Sequence, residues 1–309
     1  MSKPNASSPA LSSSSNDLLA DRRFAWANGM AEDGDFRAAA DLFAQVVERV
    51  PAWAPGWAGL AEARERGGDP AGARLAWARV AEHDPDEVLG AAAHLARLEG
   101  RTPTALPGGY VRALFDDYAP RFDRHLVATL DYRGPAILDG AIGRAAPERR
   151  FARALDLGCG TGLMGVALAD RAERIDGVDL SPAMVERARA TGAYATVAVG
   201  SLEEALAAAA PASYDLVVAA DVLVYVGTLA PVLAAAARAL RPGGLLGFTV
   251  QAHAGPGFAL GPDMRFSHGR DHVAEGLVAA GLRALVLDDA STRREKGVAV
   301  PGFVVAAER

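Results

Sequence analysis

The 309-residue sequence predicts an α/β domain built on a mostly parallel sheet and preceded by a smaller all-α module. Three observations carry that expectation. Residue pairs recur at a spacing of 34 through the first hundred positions. From Arg153 onward, strand-like and helical segments alternate. A glycine-rich turn, Gly158-Cys159-Gly160-Thr161-Gly162, follows the first of those strands and opens a helix. Half of the residues are hydrophobic, enough at this length for one sizeable core and a smaller one.

Residues 1–16 are serine-rich, carry the single charge of Lys3 and lack the apolar stretch of a signal peptide, so they read as a disordered leader. Residues 17–100 hold the repeat. Gly34-Asp35 recurs as Gly68-Asp69, Ala39 as Ala73, Phe43 as Trp77 and Pro51 as Pro85. In each unit the small residue lets two helices approach, the aromatic four positions later fills the groove, and the proline ends the second helix. Trp57 and Leu60 take the large apolar positions of the second unit's first helix, with Phe24 and Trp26 near the corresponding places of the first. Asp86–Gly100 reads as one closing helix. This register resembles the tetratricopeptide family, as two units plus a capping helix. That is fewer than a free-standing array uses, so the resemblance implies either a brace for the next domain or a surface that recruits a protein partner.

Residues 101–109, with two prolines and two glycines, form a linker to a second domain at 110–309. It opens with helical segments at about 110–119, 121–131 and 134–145. Strands are expected at Ala154–Leu157, Arg174–Val178, Ala195–Val199, Asp215–Ala219 and Leu245–Val250, with helices between them beginning near Leu163, Pro182, Ser201 and Leu229. Strand–helix–strand spacing means right-handed crossovers and a parallel sheet. Ala284–Leu287 and Gly302–Ala306 have no helical pattern between them and should pair antiparallel.

The glycine turn carries the chemistry. Its glycines let the chain turn tightly and bring backbone N–H groups close to a ligand. An acidic residue, Asp156, stands two positions before the first glycine. Asp179 closes the next strand, 23 residues after Asp156, where a carboxylate can accept both hydroxyls of a ribose. Ser181-Pro182 caps the helix that follows.

These segments resemble the class I S-adenosylmethionine-dependent methyltransferases. Leu155–Gly162 looks like the family's first motif and Val178–Met184 its ribose and adenine segment. Tyr214–Leu223 looks like the fourth strand, which ends beside the reactive methyl group, and Leu240–Gly244 like the turn before the fifth. A dehydrogenase would explain the glycine loop alone. Over nearly the whole chain, Tyr110–Leu126, Asp221–Gly227, Arg265–His268 and Pro301–Val305 resemble the bacterial tetratricopeptide-repeat-containing predicted methyltransferase family. The resemblance implies a Rossmann-like seven-stranded sheet whose last strand is antiparallel, with S-adenosyl-L-methionine as cofactor and S-adenosyl-L-homocysteine as product.

It also implies site residues. Asp156, Gly158, Gly160, Gly162 and Leu163 would form the loop around the methionine end. Asp179 would bind the ribose, with Leu180, Met184, Ser201 and Leu202 around the adenosine and Asp221 beside the methyl. Ser201 stands where the family often has an acidic residue near the adenine amine. Phe115, Tyr118 and Phe122 sit at helical spacing, as core or, for Tyr118, as a lid whose aromatic face attracts the sulfonium. Cys159 fills a place that needs only a small side chain and is not a nucleophile. For a general base the candidates are His268, Tyr225, His253 and His125. His268 ranks first, at the end of a glycine- and proline-rich stretch, Ala252–Gly269, whose Phe258, Leu260, Met264 and Phe266 could cover the pocket. The helix start that follows would depress its pKa.

A net charge of −6 argues against a nucleic-acid surface, and no apolar run reaches the length of a membrane span. One cysteine leaves no disulfide framework and no paired-cysteine metal site, which suits a reducing cytoplasm. The leading reading is a cytoplasmic methyltransferase transferring a methyl group to O, N or S of a small-molecule acceptor. The alternatives are a protein methyltransferase that grips its substrate with the repeats, and a cofactor-binding scaffold without turnover.

Overall fold

The computed structural model describes residues 14–119, 131–295 and 297–309. They fall into two compact units, Met1–Asp117 and Tyr118–Arg309. The first is a succession of helices: α1 (Leu18–Asp33), α2 (Phe36–Arg49), α3 (Ala54–Arg66), α4 (Pro70–His83), α5 (Ala91–Leu98) and α6 (Gly108–Tyr118), the last of which crosses the division. The 34-residue spacing has a local cause. Gly34 and Gly68 both take positive φ, at 88° and 81°, and turn the chain. Asp35 and Asp69 then cap the next helix, their carboxylates accepting from the N–H groups of Ala38 and Gly72. Ala39 and Ala73 are fully buried, and Phe43 and Trp77 fill the space beside them. Gly59 admits the Phe43 ring, since a Cβ there would lie 2.5 Å from it.

Two expectations change here. Trp26 is 61% exposed, and Phe24 alone supplies the apolar contact, its ring 5.3 Å from that of Phe43. The closing helix begins only at Ala91, because the Asp84 carboxylate accepts from Val88 and Leu89 N–H and Gly90 is left-handed. Within this unit Trp77 Nε1 donates to Glu65 (2.6 Å), whose carboxylate also receives Arg97 and His94.

The second unit contains α7 (Gly134–Ala145), β1 (Ala154–Leu157), α8 (Leu163–Leu168), β2 (Ile175–Asp179), α9 (Pro182–Ala190), β3 (Thr196–Val199), α10 (Leu202–Ala208), β4 (Tyr214–Ala219), α11 (Ala230–Ala239), β5 (Leu240–Ala252), β6 (Phe258–Leu260), β7 (Phe266–His268), α12 (Arg270–Ala279), β8 (Arg283–Ala290), β9 (Arg294–Glu295), β10 (Val298–Ala299) and β11 (Gly302–Glu308). Residues 121–130 of the expected second helix lie outside the described residues. The main sheet runs β3-β2-β1-β4-β5-β11-β8, with β1 to β5 parallel and β11 antiparallel to both of its neighbours.

Leu240–Gly244 is not a turn ahead of the fifth strand but its first residues, accommodated by a register shift opposite Tyr214–Leu216. At the other end β5 outruns β4, whose pairing stops at Ala219–Phe248. The unpaired edge at Gln251 and Ala252 is taken up by β7, so Ala252–Gly269 contains a β6–β7 hairpin rather than an unstructured cover.

Strand alternation sorts the core into two faces. Ala154, Leu216, Val218, Val304 and Ala306 pack on α7 and α8. Leu155, Leu157, Val217, Ala219, Val250 and Val305 pack on α11 and α12.

Truncating Phe43, which is 2% exposed, to alanine removes a ring from the centre of the helical unit and should destabilise that unit by about 3–5 kcal/mol. A urea titration followed by circular dichroism measures it; a loss below about 1 kcal/mol would mean that the groove is not held by this aromatic.

Candidate active site

The site lies at the carboxyl ends of β1, β2 and β4. Gly158, Gly160 and Gly162 all have positive φ, at 65°, 54° and 96°. At Gly158 a side chain is excluded twice over, because a Cβ would also stand 2.4 Å from Val222. Asp179 holds this loop from the next strand. One carboxylate oxygen accepts from Gly160 N (2.9 Å) and the other from Ser181 N (2.9 Å). Ser181 Oγ in turn accepts from Met184 N and caps α9. The expected cofactor carboxylate therefore also organises the loop and the helix start.

Asp156 faces the α7–α8 side of the sheet and is 1% exposed. Its Oδ2 accepts from the Tyr194 hydroxyl (2.6 Å), whose oxygen accepts from Gly165 N (2.9 Å). Its Oδ1 is buried and has no partner among the described residues. Burial pushes the Asp156 carboxyl up to about 7. Burial and the nearby carboxylates likewise raise the Cys159 thiol, which suits packing rather than nucleophilic chemistry.

Asp221, just past β4, is left-handed at φ 56°. A non-glycine residue there is strained, and three hydrogen bonds hold it. Its N–H donates to Thr249 Oγ1 (2.8 Å), while Thr249 and Thr292 hydroxyls both donate to Oδ1, at 3.1 and 2.9 Å. Its Oδ2 is buried without a partner among the described residues. Between the two carboxylates stands Tyr132, on the segment before α7. Its hydroxyl pKa is well above the usual tyrosine range, first through burial, then through the charge of Asp221 and the hydroxyl's approach to that carboxylate, and then through the charge of Asp156. With Leu163, Met164 and Ala220, Tyr132 lines a cavity of about 50 Å³ over the glycine loop.

The remaining expected residues are distributed as follows. Leu180 is half-buried at the end of β2, and Leu202 is half-buried against the core on the α11–α12 side. Ser201 caps α10 in a reciprocal arrangement with Glu204 and lines a separate groove of about 630 Å³ beside Val178 and Ala198. Met184 is fully buried, its N–H donating to Ser181 Oγ at the start of α9. Tyr118 ends α6 half-buried and does not line the glycine-loop cavity. Phe122 and His125 lie outside the described residues.

The structure does not bring His268 to Asp221. His268 pairs with Ala252, whereas Thr249 and Gln251 share the opposite face of β5 with the Asp221 carboxylate. The ring is fully buried, near those of His272 and Phe258. Its pKa is lowered to about 4, and the cause is burial and the neighbouring His272 rather than the helix start. Tyr225 ends a short 3-10 turn, Leu223–Tyr225, and faces Arg265. His253 holds its own turn through Gly255 N (2.9 Å).

Sequence reading missed Tyr132, Tyr194, Thr249 and Thr292. Each reaches the site by strand pairing or across a crossover, and only Tyr132, three positions before a helix-starting proline, stood near any local signal.

Residues 154–244 match the family described as methyltransferase domain. Over 130 residues the chain is 35% identical to the ubiquinone biosynthesis O-methyltransferase of Xanthomonas campestris pv. campestris (strain B100), covering 41% of this chain and 53% of that protein. It is 35% identical over 104 residues to the protein of that name from Idiomarina loihiensis, covering 31% and 41%. The chain thus spans about half the length of the curated relatives it matches. A solved structure, Burkholderia thailandensis 1,6-didemethyltoxoflavin-N1-methyltransferase with bound 1,6-didemethyltoxoflavin and S-adenosylhomocysteine, superposes with a TM-score of 0.50 at 22% identity, covering 67% of this chain and 92% of that one. That likeness is one of fold.

The buried carboxyl of Asp156 makes a pH prediction. The folded chain keeps this proton up to about pH 7, while the unfolded chain, at an ordinary 3.8, has released it. Folding stability attributable to Asp156 is therefore full below about pH 4 and is lost as pH rises toward 7. Urea titrations across that range should show Asp156→Asn losing less stability than the parent as pH rises; parallel profiles would mean that the carboxyl is not held protonated.

Proposed function

We propose that the chain is an S-adenosylmethionine-dependent methyltransferase acting on a small-molecule acceptor. The observation that carries the reading is the buried, partnerless Asp156 Oδ1 beside a loop of three left-handed glycines, with Asp179 across from it. A carboxylate so placed suits the ammonium of an amino-acid moiety, and Asp179 suits the two hydroxyls of a ribose. When bound, S-adenosylmethionine supplies an electrophilic methyl group and departs as S-adenosylhomocysteine.

The chain's own residues divide the remaining tasks. Asp156 and the glycine loop hold the methionine end, with Leu163 against it. Asp179 and Leu180 hold the adenosine, with Ser201 and Leu202 farther along. Asp221, pinned at Oδ1, offers Oδ2 to the acceptor and is placed to take its proton, an assignment we prefer to His268 because of the face on which each stands. Tyr132 must swing aside to enlarge a cavity of 50 Å³ to the several hundred that a nucleoside ligand needs. The name of the relatives, ubiquinone biosynthesis O-methyltransferase, favours a small-molecule acceptor here. For the first unit, the identical caps at Asp35 and Asp69 support a tetratricopeptide-like pair of repeats that braces the fold or recruits a protein. A cytoplasmic location fits this reading.

Asp179→Ala should weaken S-adenosylhomocysteine binding on the order of a hundredfold, about 2–3 kcal/mol, in isothermal titration. Because Asp179 also anchors Gly160 and Ser181, near-ultraviolet circular dichroism must show the variant folded. Undiminished affinity in a folded variant would remove the proposal.

A further inference from the structure

The hairpin β6–β7, the 3-10 turn after β4 and the strand β9 bring two arginines to one glutamate. Arg265 Nη1 and Arg293 Nε both donate to the same oxygen of Glu295, at 2.9 and 3.0 Å. The Arg265 side chain also faces the Tyr225 hydroxyl. Arg265 also has the charge of Asp263 nearby, whereas Glu295 is the one ion-pair partner of Arg293 among the described residues, and water is scarce around Arg293. Arg293 is 5% exposed, and its Nη2 is buried with no hydrogen-bond partner among the described residues. A buried donor of this kind is rare and costly when left unmade, more so when it is charged.

Its position relates it to the reaction centre. Thr292, the preceding residue, donates to Asp221, and Arg293 is close enough for its charge to act on the Tyr132 hydroxyl. No ion pair links Arg293 with Asp221 among the described residues. A second donor without a partner, Gln251 Nε2, projects from the β5 face that carries Thr249. Two unmade donors, one charged, therefore belong to the residues next to and two along from the threonines that hold the carboxylate assigned to the acceptor's proton. Neither is engaged by the glycine loop or by Asp179.

We infer that the methyl acceptor carries a carboxylate, which Arg293 Nη2 binds with Gln251 beside it, so that the acceptor's nucleophilic atom is presented at Asp221. Guanidinium–carboxylate hydrogen bonds are directional, and in a dry site they orient as well as attract. The Glu295 bond holds the guanidinium by Nε and leaves Nη2 for the ligand, while Arg265 keeps Glu295 in place. The inference rests on the methyltransferase reading and names the chemical class of its substrate.

The test titrates the full chain, saturated with S-adenosylhomocysteine, with 4-hydroxybenzoate, 3,4-dihydroxybenzoate, 4-hydroxyphenylacetate and the matching amides. At least one carboxylate is expected to bind roughly tenfold or more tighter than its amide. Arg293→Met should lose that preference, Arg293→Lys should keep part of it, and both should bind S-adenosylhomocysteine as the parent does. Retained S-adenosylhomocysteine binding with no carboxylate preferred over its amide overturns the inference and leaves the methyltransferase reading standing. A carboxylate preference that survives Arg293→Met also overturns it. Failure of the parent chain to bind S-adenosylhomocysteine sinks both. If Arg293→Met does not fold, Arg293→Lys and the carboxylate–amide comparison on the parent still decide.

Discussion

Three carboxylates at the carboxyl ends of β1, β2 and β4, Asp156 and Asp179 buried and Asp221 half-buried, each held by hydroxyl or backbone donors, are the constraint around which the second unit is organised. A carboxylate taken out of water must be hydrogen-bonded or must keep its proton. Asp179 meets the demand with the backbone of Gly160 and Ser181, and in doing so sets the glycine loop and starts α9. Asp221 meets it with Thr249 and Thr292, which ties β4 to β5 and to the segment before β9. Asp156 meets it only in part, through Tyr194, and its carboxyl is raised accordingly. Two oxygens, Asp156 Oδ1 and Asp221 Oδ2, are left buried without a hydrogen-bond partner among the described residues.

The two faces of the sheet have different tasks, and the alternation of side chains along each strand enforces the division. The α7–α8 side carries Asp156, Thr249 and the segment with Tyr132. The α11–α12 side is apolar and continuous from Leu155 to Val305. His268 belongs to the second side because β7 pairs in register with β5. A shift of one residue in that pairing would have reversed its face. The strap Ala252–Gly269 is correspondingly structural. Phe258 and Phe266 crowd Gly227, where a Cβ would come within 2.5 Å of a ring, and they fasten the hairpin to the chain leaving β4.

The helical unit follows a simpler principle. Each 34-residue period supplies a left-handed glycine, an aspartate cap, a small residue at the helix contact and a large aromatic beside it. The second period differs in the polar anchoring of its aromatic, Trp77 donating to Glu65 and stacking on His94 at 3.9 Å. That difference follows from chemistry, since an indole N–H buried in a core requires an acceptor and a phenyl ring does not.

What the sequence by itself determined was everything written in short-range geometry. The repeat period, the glycine loop, the caps at Asp35, Asp69 and Ser181, the parallel strands and the reversed final strand all depend on residues a few positions apart or on alternation within one segment. The β6–β7 hairpin was not legible, because its pairing exists only where β5 outruns β4. The burial of Met184 and the exposure of Trp26 depended on which helix face met a neighbour. The face taken by His268 was not legible for the same reason: nothing local to Phe266–His268 says which side of the sheet the imidazole will occupy. Tyr132 lies 24 residues from Asp156 and 89 from Asp221, and Thr292 lies 71 from Asp221. Their convergence is a product of strand order and register. Tertiary structure alone decided it, because burial and register, unlike caps and turns, are properties of the assembled sheet.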